Sequence, residues 1–266
     1  PGNTEANCGG SNNPSPAGEW KFEAPTSVAD EDSSENSNTL IYFNLETSDL
    51  VAGKFGSAFD FNNDGTDEEV SAGSDTSIDL NSNFTVSAWV KPRNLTGNTF
   101  HDAVDKTGGV TNGWVFRVLG SSAAACNSLD GTVIVRDPAG AGNTLCSATV
   151  LSTDTWYHLA FTNDGTTTII YVNGVEDTRG SQTFANGDAN SLLIGGNLGF
   201  IGLIDQVRIF NYVRTPAQIA WDYSRGAPVA RYKLDECSGT TANNSAFAAS
   251  GLDPGLDATI TIAASG

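Results

Sequence analysis

Short segments with the alternation of β-strands recur from residue 18 to residue 211, and turn residues separate them. Successive side chains of a strand point to opposite faces, so this alternation predicts strands with one buried and one exposed face. The segments are 19–23, 39–45, 58–61, 84–90, 114–119, 132–136, 156–162, 166–172, 192–194 and 203–211. Helical signals are slight and centre on Thr215-Pro216, an N-cap residue followed by Pro at the first helical position. The pattern therefore predicts an all-β sandwich or barrel.

The clearest hairpin signal lies between residues 156 and 175. Asn163-Asp164-Gly165 separates two β-like segments, and Asn173-Gly174 provides the next turn. Asn-Gly and Asp-Gly supply the positive φ values that tight hairpins require. We therefore predict consecutive antiparallel strands here.

The charge of the chain excludes two classes of partner. Its 266 residues include 13 Lys and Arg against 31 Asp and Glu, a net charge of −18. Nucleic acids and anionic membrane surfaces are bound by clustered basic residues, so neither is expected as a partner. The sequence contains no run of 18 apolar residues, so insertion into a membrane is not predicted. The chain starts at Pro1 without Met and carries four Cys, which favours a mature exported protein with two disulfides, extracellular or on the cell surface.

Three regions follow from composition and an internal repeat. Residues 1–17 are rich in Pro, Gly and Asn and predict a flexible linker or tether, residues 18–226 form the main domain, and residues 227–266 begin a repeat. In that repeat Tyr232-Lys233-Leu234-Asp235 echoes Trp20-Lys21-Phe22-Glu23. We interpret residues 227–266 as the opening strands of a second copy, whose free edge must be paired or covered.

The order and spacing of several segments resemble those of the laminin-G-like, concanavalin-A-like jelly-roll family of bacterial extracellular proteins. The matching segments are 20–23, 32–38, 53–58, 84–90, 156–160, 171–174 and 200–211. The resemblance implies a two-sheet antiparallel jelly roll, to which this chain adds a C-terminal strand segment. It also implies carbohydrate or protein binding, usually without catalysis, and often one structural Ca²⁺.

The resemblance points to a calcium site made of Asp32, Asn36, Asn38 and Asp205. Carboxylate and amide oxygens are the ligands that Ca²⁺ prefers. This chain departs from the family loop, because Glu35 and Ser37 replace two Gly residues. The alternative is that Asp205, in an apolar stretch, pairs with Arg208 or caps a backbone group.

The four cysteines divide into two pairs. Cys126 and Cys146 flank a predicted strand and are expected to form a disulfide across a loop pair. Cys8 and Cys237 remain, and they pair either within one chain or between neighbouring chains.

The motifs of common hydrolases are missing from the sequence. It contains neither the Glu-x-Asp-x-Glu run of related glycosidases nor Gly-x-Ser-x-Gly, and it has two His. Trp114, Trp221 and Tyr223 are candidates for stacking against a sugar, although core packing is favoured for each.

We therefore predict a non-catalytic extracellular binding or adhesion module that recognises glycan or protein. Calcium and disulfides would stabilise it. The alternative is a structural subunit of a filament or surface layer, in which residues 227–266 of one copy complete the sheet of the next, head to tail.

Overall fold

A computed structural model describes most of the chain between residues 14 and 224. The described ranges are 14–23, 32–62, 68–96, 100–107, 112–120, 126, 129–138, 144–185, 190–196 and 198–224, with the backbone of 241–242 and 258–259. In this part of the chain the strands are β1 (Gly18–Trp20), β2 (Ile41–Phe43), β3 (Leu50–Ala52), β4 (Ser57–Phe61), β5 (Glu69–Gly73), β6 (Phe84–Pro92), β7 (Phe100–Asp105), β8 (Val115–Leu119), β9 (Thr132–Arg136), β10 (Thr144–Val150), β11 (Tyr157–Asn163), β12 (Thr167–Val172), β13 (Val175–Ser181), β14 (Leu192–Ile194), β15 (Gly202–Phe210), β16 (Thr241–Ala242) and β17 (Ala258–Thr259). Helix α1 spans Pro216–Ser224, and two 3-10 turns span Thr47–Asp49 and Thr76–Ile78.

The strands form two antiparallel sheets that pack face to face. One has eight strands in the order β13-β12-β11-β6-β15-β4-β3, with β1 also pairing with β15. The other has seven strands in the order β10-β9-β8-β7-β14-β5-β2. This architecture confirms the predicted jelly-roll sandwich.

Aromatic residues fill the space between the sheets. Trp114 is fully buried, its ring centroid lies 5.5 Å from those of both Phe84 and Phe161, and its indole nitrogen donates to the carbonyl oxygen of Leu80. Large rings of this kind supply most of the buried apolar area of a sandwich. The interpretation of Trp114 as a core residue is therefore confirmed.

The predicted hairpin signals correspond to β11, β12 and β13. The Asp164 carboxylate accepts hydrogen bonds from the amide nitrogens of Thr166 (2.9 Å) and Thr167 (2.7 Å). Asn173 and Gly174 have φ values of 51° and 79°, as a tight turn requires.

Among the described residues 14–224, five strands match none of the segments identified in the sequence: β3, β5, β7, β10 and β13, the last of which was indicated only by the turn before it. Strand β13 reads V-E-D-T-R-G-S and lies at the edge of its sheet. An edge strand contributes few side chains to the core, so its sequence lacks a buried face. Glu68, directly before β5, is buried and accepts from the amide nitrogen of Asn62 at 2.6 Å.

Strand β15 organises the region where the candidate sites lie. Strand β6 pairs with it along one side, while β4 (opposite 202–204) and β1 (opposite 207–209) share the other. The pairing of β15 with β6 shifts between Asp205 and Arg208, where Gln206 has a φ of 51°. Because Ile204, Val207 and Ile209 enter the core, the irregularity leaves Asp205 and Arg208 on the outer face.

The domain boundaries are only partly described. Residues 14–17, assigned to the linker from the sequence, contact the domain. The amide nitrogen of Ala17 donates to the carbonyl oxygen of Ile209 at 2.7 Å, and the Tyr212 hydroxyl donates to the carbonyl oxygen of Pro14 at 3.1 Å. Strands β16 and β17 pair with each other. Cys8, Cys237 and the rest of the predicted repeat lie outside the described residues. Within the described part of the chain, no helix has the length and apolar character needed to cross a membrane.

Candidate functional site

Asp32 is the centre of the first predicted calcium loop, and donors within the protein surround it. Its two carboxylate oxygens accept from the amide nitrogens of Glu19 (2.8 Å), Ser34 (2.8 Å) and Asn38 (2.9 Å). The Ser34 hydroxyl (2.6 Å) and the Asn38 side-chain amide (3.0 Å) donate to it as well. A carboxylate offers about four lone pairs, so five donors saturate it.

The two asparagines of this loop contact the same backbone oxygen. The side-chain nitrogens of Asn36 and Asn38 donate to the Ala17 carbonyl oxygen at 3.0 and 2.9 Å. Ser37 has a φ of 59°, so the loop keeps the left-handed conformation that suits the family's Gly. The loop thus brings Asp32, Asn36 and Asn38 together through hydrogen bonds of its own.

Asp205, the fourth predicted calcium ligand, lies in a different cluster. Its side chain is fully buried, its Oδ2 atom accepts from the amide nitrogen of Phe55 at 2.9 Å, and its Oδ1 atom has no hydrogen-bond partner among the described residues. The pKa of Asp205 is raised to about 7, chiefly by burial, against the backbone amides of Phe55, Lys54 and Gln206, and the nearby Glu23 carboxylate contributes to the rise. Of the two alternatives for Asp205, the pairing with Arg208 is not formed, because the Arg208 guanidinium binds Glu19 instead. The other alternative, contact with a backbone group, is present in the hydrogen bond from the Phe55 amide.

Glu23 and Asp205 flank one tight glycine turn. The amide nitrogen of Gly53 donates to the carbonyl oxygen of Gly56 at 3.0 Å. A Cβ on Gly53 would lie 2.8 Å from the Asp205 carboxylate, and a Cβ on Gly56 would overlap the Glu23 carboxylate. Both carboxylates therefore lie directly against the turn, and glycine is needed at both positions. Reasoning from the sequence missed Glu23, whose only signal is its place after the Trp20-Lys21-Phe22 strand.

A second feature is a groove on the outer face of the eight-stranded sheet, beside α1. Its floor carries two ion pairs. The Arg208 Nε atom lies 2.7 Å from a Glu19 carboxylate oxygen, and the Arg214 Nε and Nη2 atoms lie 2.7 and 2.8 Å from the two carboxylate oxygens of Asp222. The Arg214–Asp222 pair has two close contacts and is almost fully buried, so it fixes α1 to the segment that follows β15.

Apolar side chains form the walls of the groove. Pro14, Pro16 and Trp221 line the groove, whose volume is about 280 Å³. The hydrogen bond between Tyr212 and Pro14 holds the N-terminal wall in place. An exposed indole beside paired charges is an arrangement that can stack on a sugar ring or an apolar side chain and fix its polar groups.

The prediction that Trp221 packs in the core is wrong. Its side chain is 57% exposed, whereas Ile219 and Tyr223 of the same helix are buried. The ring of Tyr223 stacks on that of Trp89 at a centroid distance of 5.5 Å, as its core interpretation predicted.

Helix α1 begins as predicted. The Thr215 hydroxyl accepts from the amide nitrogen of Gln218, and the Gln218 side-chain oxygen accepts from the amide nitrogen of Thr215. Because Ile219 and Tyr223 are one helical turn apart and mark the buried face, a period of 3.6 places residue 221 on the opposite side.

Part of the outer face of the seven-stranded sheet is closed. The Arg117 Nε atom lies 2.8 Å from the Asp102 carboxylate, and both side chains are buried together with Leu119 and Ile134. Burial raises the pKa of Asp102 to about 7, and the Arg117 charge opposes this rise. This part of the sheet offers no open surface to a ligand.

The predicted disulfide between Cys126 and Cys146 is present, with Cα atoms 5.8 Å apart. Among the described residues, no three His, Cys, Asp or Glu side chains are grouped to hold a metal ion.

Comparisons with solved structures support the fold. The binding domain of Paraclostridial Mosquitocidal Protein 1 is 17% identical with a TM-score of 0.61, over 82% of this chain and 54% of that one. Domain 4 of AbnA, an extracellular arabinanase of Geobacillus stearothermophilus in complex with arabinotriose, is 23% identical with a TM-score of 0.56, over 77% of this chain and 97% of that one. The binding domain of botulinum neurotoxin serotype D is 15% identical with a TM-score of 0.59, over 82% of this chain and 53% of that one. The chain thus spans about half the length of these toxin binding domains.

Sequence comparison identifies the family. No curated protein matches the chain significantly in sequence. The laminin G family within the concanavalin A-like lectin and glucanase superfamily matches residues 64–220, which is more than half of the chain. Together with the two-sheet sandwich, this match shows that the chain belongs to that family.

Proposed function

We propose that this protein is a non-catalytic extracellular binding module whose ligand, a glycan or a protein, binds in the groove beside α1. The exposure of Trp221 carries the proposal, because its indole lines the groove together with Pro14, Pro16 and the paired charged groups. Both groove carboxylates, Glu19 and Asp222, are engaged by arginines, which suits a binding surface better than a free acid and base. The arabinotriose complex of the structurally similar AbnA domain supports a glycan as the ligand class.

Replacing Trp221 by Ala is expected to weaken ligand binding by at least tenfold. Truncating a central aromatic contact costs about 2 kcal/mol or more, and about 1.4 kcal/mol corresponds to a factor of ten. Screening the wild-type protein on a glycan array identifies the ligand, and calorimetry then compares the variants. Val175→Ala, which shortens an exposed apolar side chain on β13, serves as the matched control. Equal affinity of Trp221→Ala and the wild-type protein would place the ligand elsewhere.

We further propose that calcium stabilises the domain at the glycine turn, with the carboxylates of Glu23 and Asp205 as ligands. The unpartnered Oδ1 atom of the buried Asp205 supports this choice, because a buried carboxylate without compensation is costly and Ca²⁺ binds carboxylate oxygens. The saturated hydrogen bonding of Asp32 makes its loop a weaker candidate. The four-residue site of Asp32, Asn36, Asn38 and Asp205 stays a prediction.

Millimolar CaCl₂ is expected to raise the melting temperature over that in EDTA, because an ion that binds only the folded state stabilises it. Asp205→Asn should abolish this calcium response, whereas Asp32→Asn should keep it. A melting temperature that EDTA does not change, or a response that only Asp32→Asn removes, would contradict the assignment to Glu23 and Asp205.

A further inference from the structure

Resting on the proposed function of the groove, we propose that its ligand is an acidic saccharide, a sugar that carries a carboxylate. The sugar ring stacks on Trp221, and the carboxylate binds the Arg208 guanidinium. This assignment names the ligand class and the residue that selects it.

The charged groups that line the groove are balanced, although the protein as a whole is strongly acidic. The chain has 13 basic and 31 acidic residues. In the groove, however, Arg208 and Arg214 face Glu19 and Asp222, two cations against two carboxylates. Beside the groove, the Lys21 ammonium group lies 3.4 Å from Glu19, and the Glu23 carboxylate accepts from the Gln206 side chain. Exposed charges more than about 8 Å away are largely screened at physiological salt, so an approaching anion meets this local balance rather than the net charge of the chain.

Arg208 keeps hydrogen-bonding capacity that Arg214 does not. The Arg214 Nη2 atom donates to Asp222 and to the Gln218 carbonyl oxygen, and its Nη1 atom donates to the Tyr212 hydroxyl. The guanidinium also lies 4.2 Å above the Phe210 ring. The Arg208 guanidinium uses Nε on Glu19 and Nη2 on Gln206, while its Nη1 atom lies 4.0 Å from Asp222, beyond hydrogen-bond distance.

The exposure of Arg208 matches this role. Its side chain is 17% exposed, whereas that of Arg214 is 1% exposed. Arg214 is therefore a structural cation, and Arg208 is the group that a carboxylate on a ligand can reach.

The size of the groove suits one sugar residue. Its volume of about 280 Å³ lies just below the roughly 300–1,000 Å³ of sites for drug-sized ligands, as expected for a smaller ligand. With Trp221 forming a wall, a pyranose ring can lie against the indole while its carboxylate points to the floor. The rest of a longer glycan would extend along the exposed outer side of α1.

NMR titration of the full chain with three probes tests the proposal. Methyl glucuronide is expected to bind at least tenfold more tightly than methyl glucoside, which has the same ring without the carboxylate. Sodium acetate, a carboxylate without the ring, is expected to bind more weakly than the glucuronide. Trp221→Ala should weaken the glucuronide and the glucoside alike.

Arg208→Lys tests the selectivity, because it keeps the positive charge near Glu19 but loses the guanidinium fork. We expect it to reduce the preference for glucuronide over glucoside by at least threefold, with thermal melts confirming that the variant is folded. Arg179→Lys, on the exposed pair with Glu176, is the matched control and should leave the preference unchanged.

The outcomes separate this inference from the proposed function. Equal binding of glucuronide and glucoside, with both lost in Trp221→Ala, would overturn the acidic saccharide and keep the groove as a glycan site. An unchanged preference in Arg208→Lys would overturn the role of Arg208. Acetate binding as tightly as the glucuronide would reveal a simple anion site. Binding of neither sugar would overturn the acidic saccharide, and a glycan array without any signal dependent on Trp221 would overturn a glycan as ligand of the groove.

Discussion

Replacing Asp205 by Asn is expected to raise the free energy of unfolding at pH 8, in EDTA, by about 4 kcal/mol. The pKa of Asp205 is raised from 3.8 to about 7 in the folded protein, chiefly by burial. Each unit of pKa difference between the folded and unfolded states corresponds to about 1.36 kcal/mol. Asn keeps the size of the side chain without the charge. Urea denaturation at several pH values measures the effect.

The direction of the pKa shift determines the pH range in which the variant and the wild-type protein differ in stability. Because the folded pKa lies above the unfolded one, Asp205 contributes stability to the wild-type protein only when it is protonated. That contribution is lost as the pH rises from about 4 to about 7, so the two proteins should be equally stable below pH 4. Asp154→Asn, at an exposed position, is the control and should show no such divergence. A variant that is less stable than the wild-type protein at pH 8 in EDTA would refute the cost assigned to the buried carboxylate.

Asp222→Ala is expected to lower the free energy of unfolding by about 3–5 kcal/mol. The substitution leaves the Arg214 guanidinium, 1% exposed, without its carboxylate partner, and an uncompensated buried charge is costly. Chemical denaturation measures the loss. Glu176→Ala, which breaks the exposed pair with Arg179, is the control and should cost less than about 1 kcal/mol.

A double variant identifies the cause of that loss. Asp222→Leu combined with Arg214→Met removes both charges and fills the site with apolar side chains, so it should recover much of the lost stability. If the double variant were as unstable as Asp222→Ala, the loss would come from the packing of α1 rather than from the isolated charge.

Alternation and turn chemistry were sufficient to predict the core of the fold. The segment 84–90 became β6, segments 156–162 and 166–172 became β11 and β12, and Thr215-Pro216 began α1. These elements are encoded locally, by side chains that must face the core or by residues that tolerate positive φ. The polar edge strands β10 and β13 carry no such local signal, because little of either strand is buried.

The sites depend on contacts between distant parts of the chain. Glu23 and Asp205 meet only because β1 and β4 share one side of β15 and the pairing shifts at Gln206. A register shift changes which side chains share a face, and spacing along the sequence does not reveal it. The resemblance to the family indicated Asp205 as a ligand, but the hydrogen-bond saturation of Asp32 emerges only from the folded loop.

The pairing of β1 with the end of β15 also has a mechanical consequence. Gly18 lies opposite Ile209, so the chain enters and leaves the sandwich at neighbouring points on its surface. Tension applied between residue 14 and residue 216 would therefore peel the three residue pairs of β1 apart in sequence, starting at Gly18, instead of shearing them together. Such a junction yields to small forces, and the same adjacency would let the domain be inserted into a loop of another protein without separating the ends of that loop.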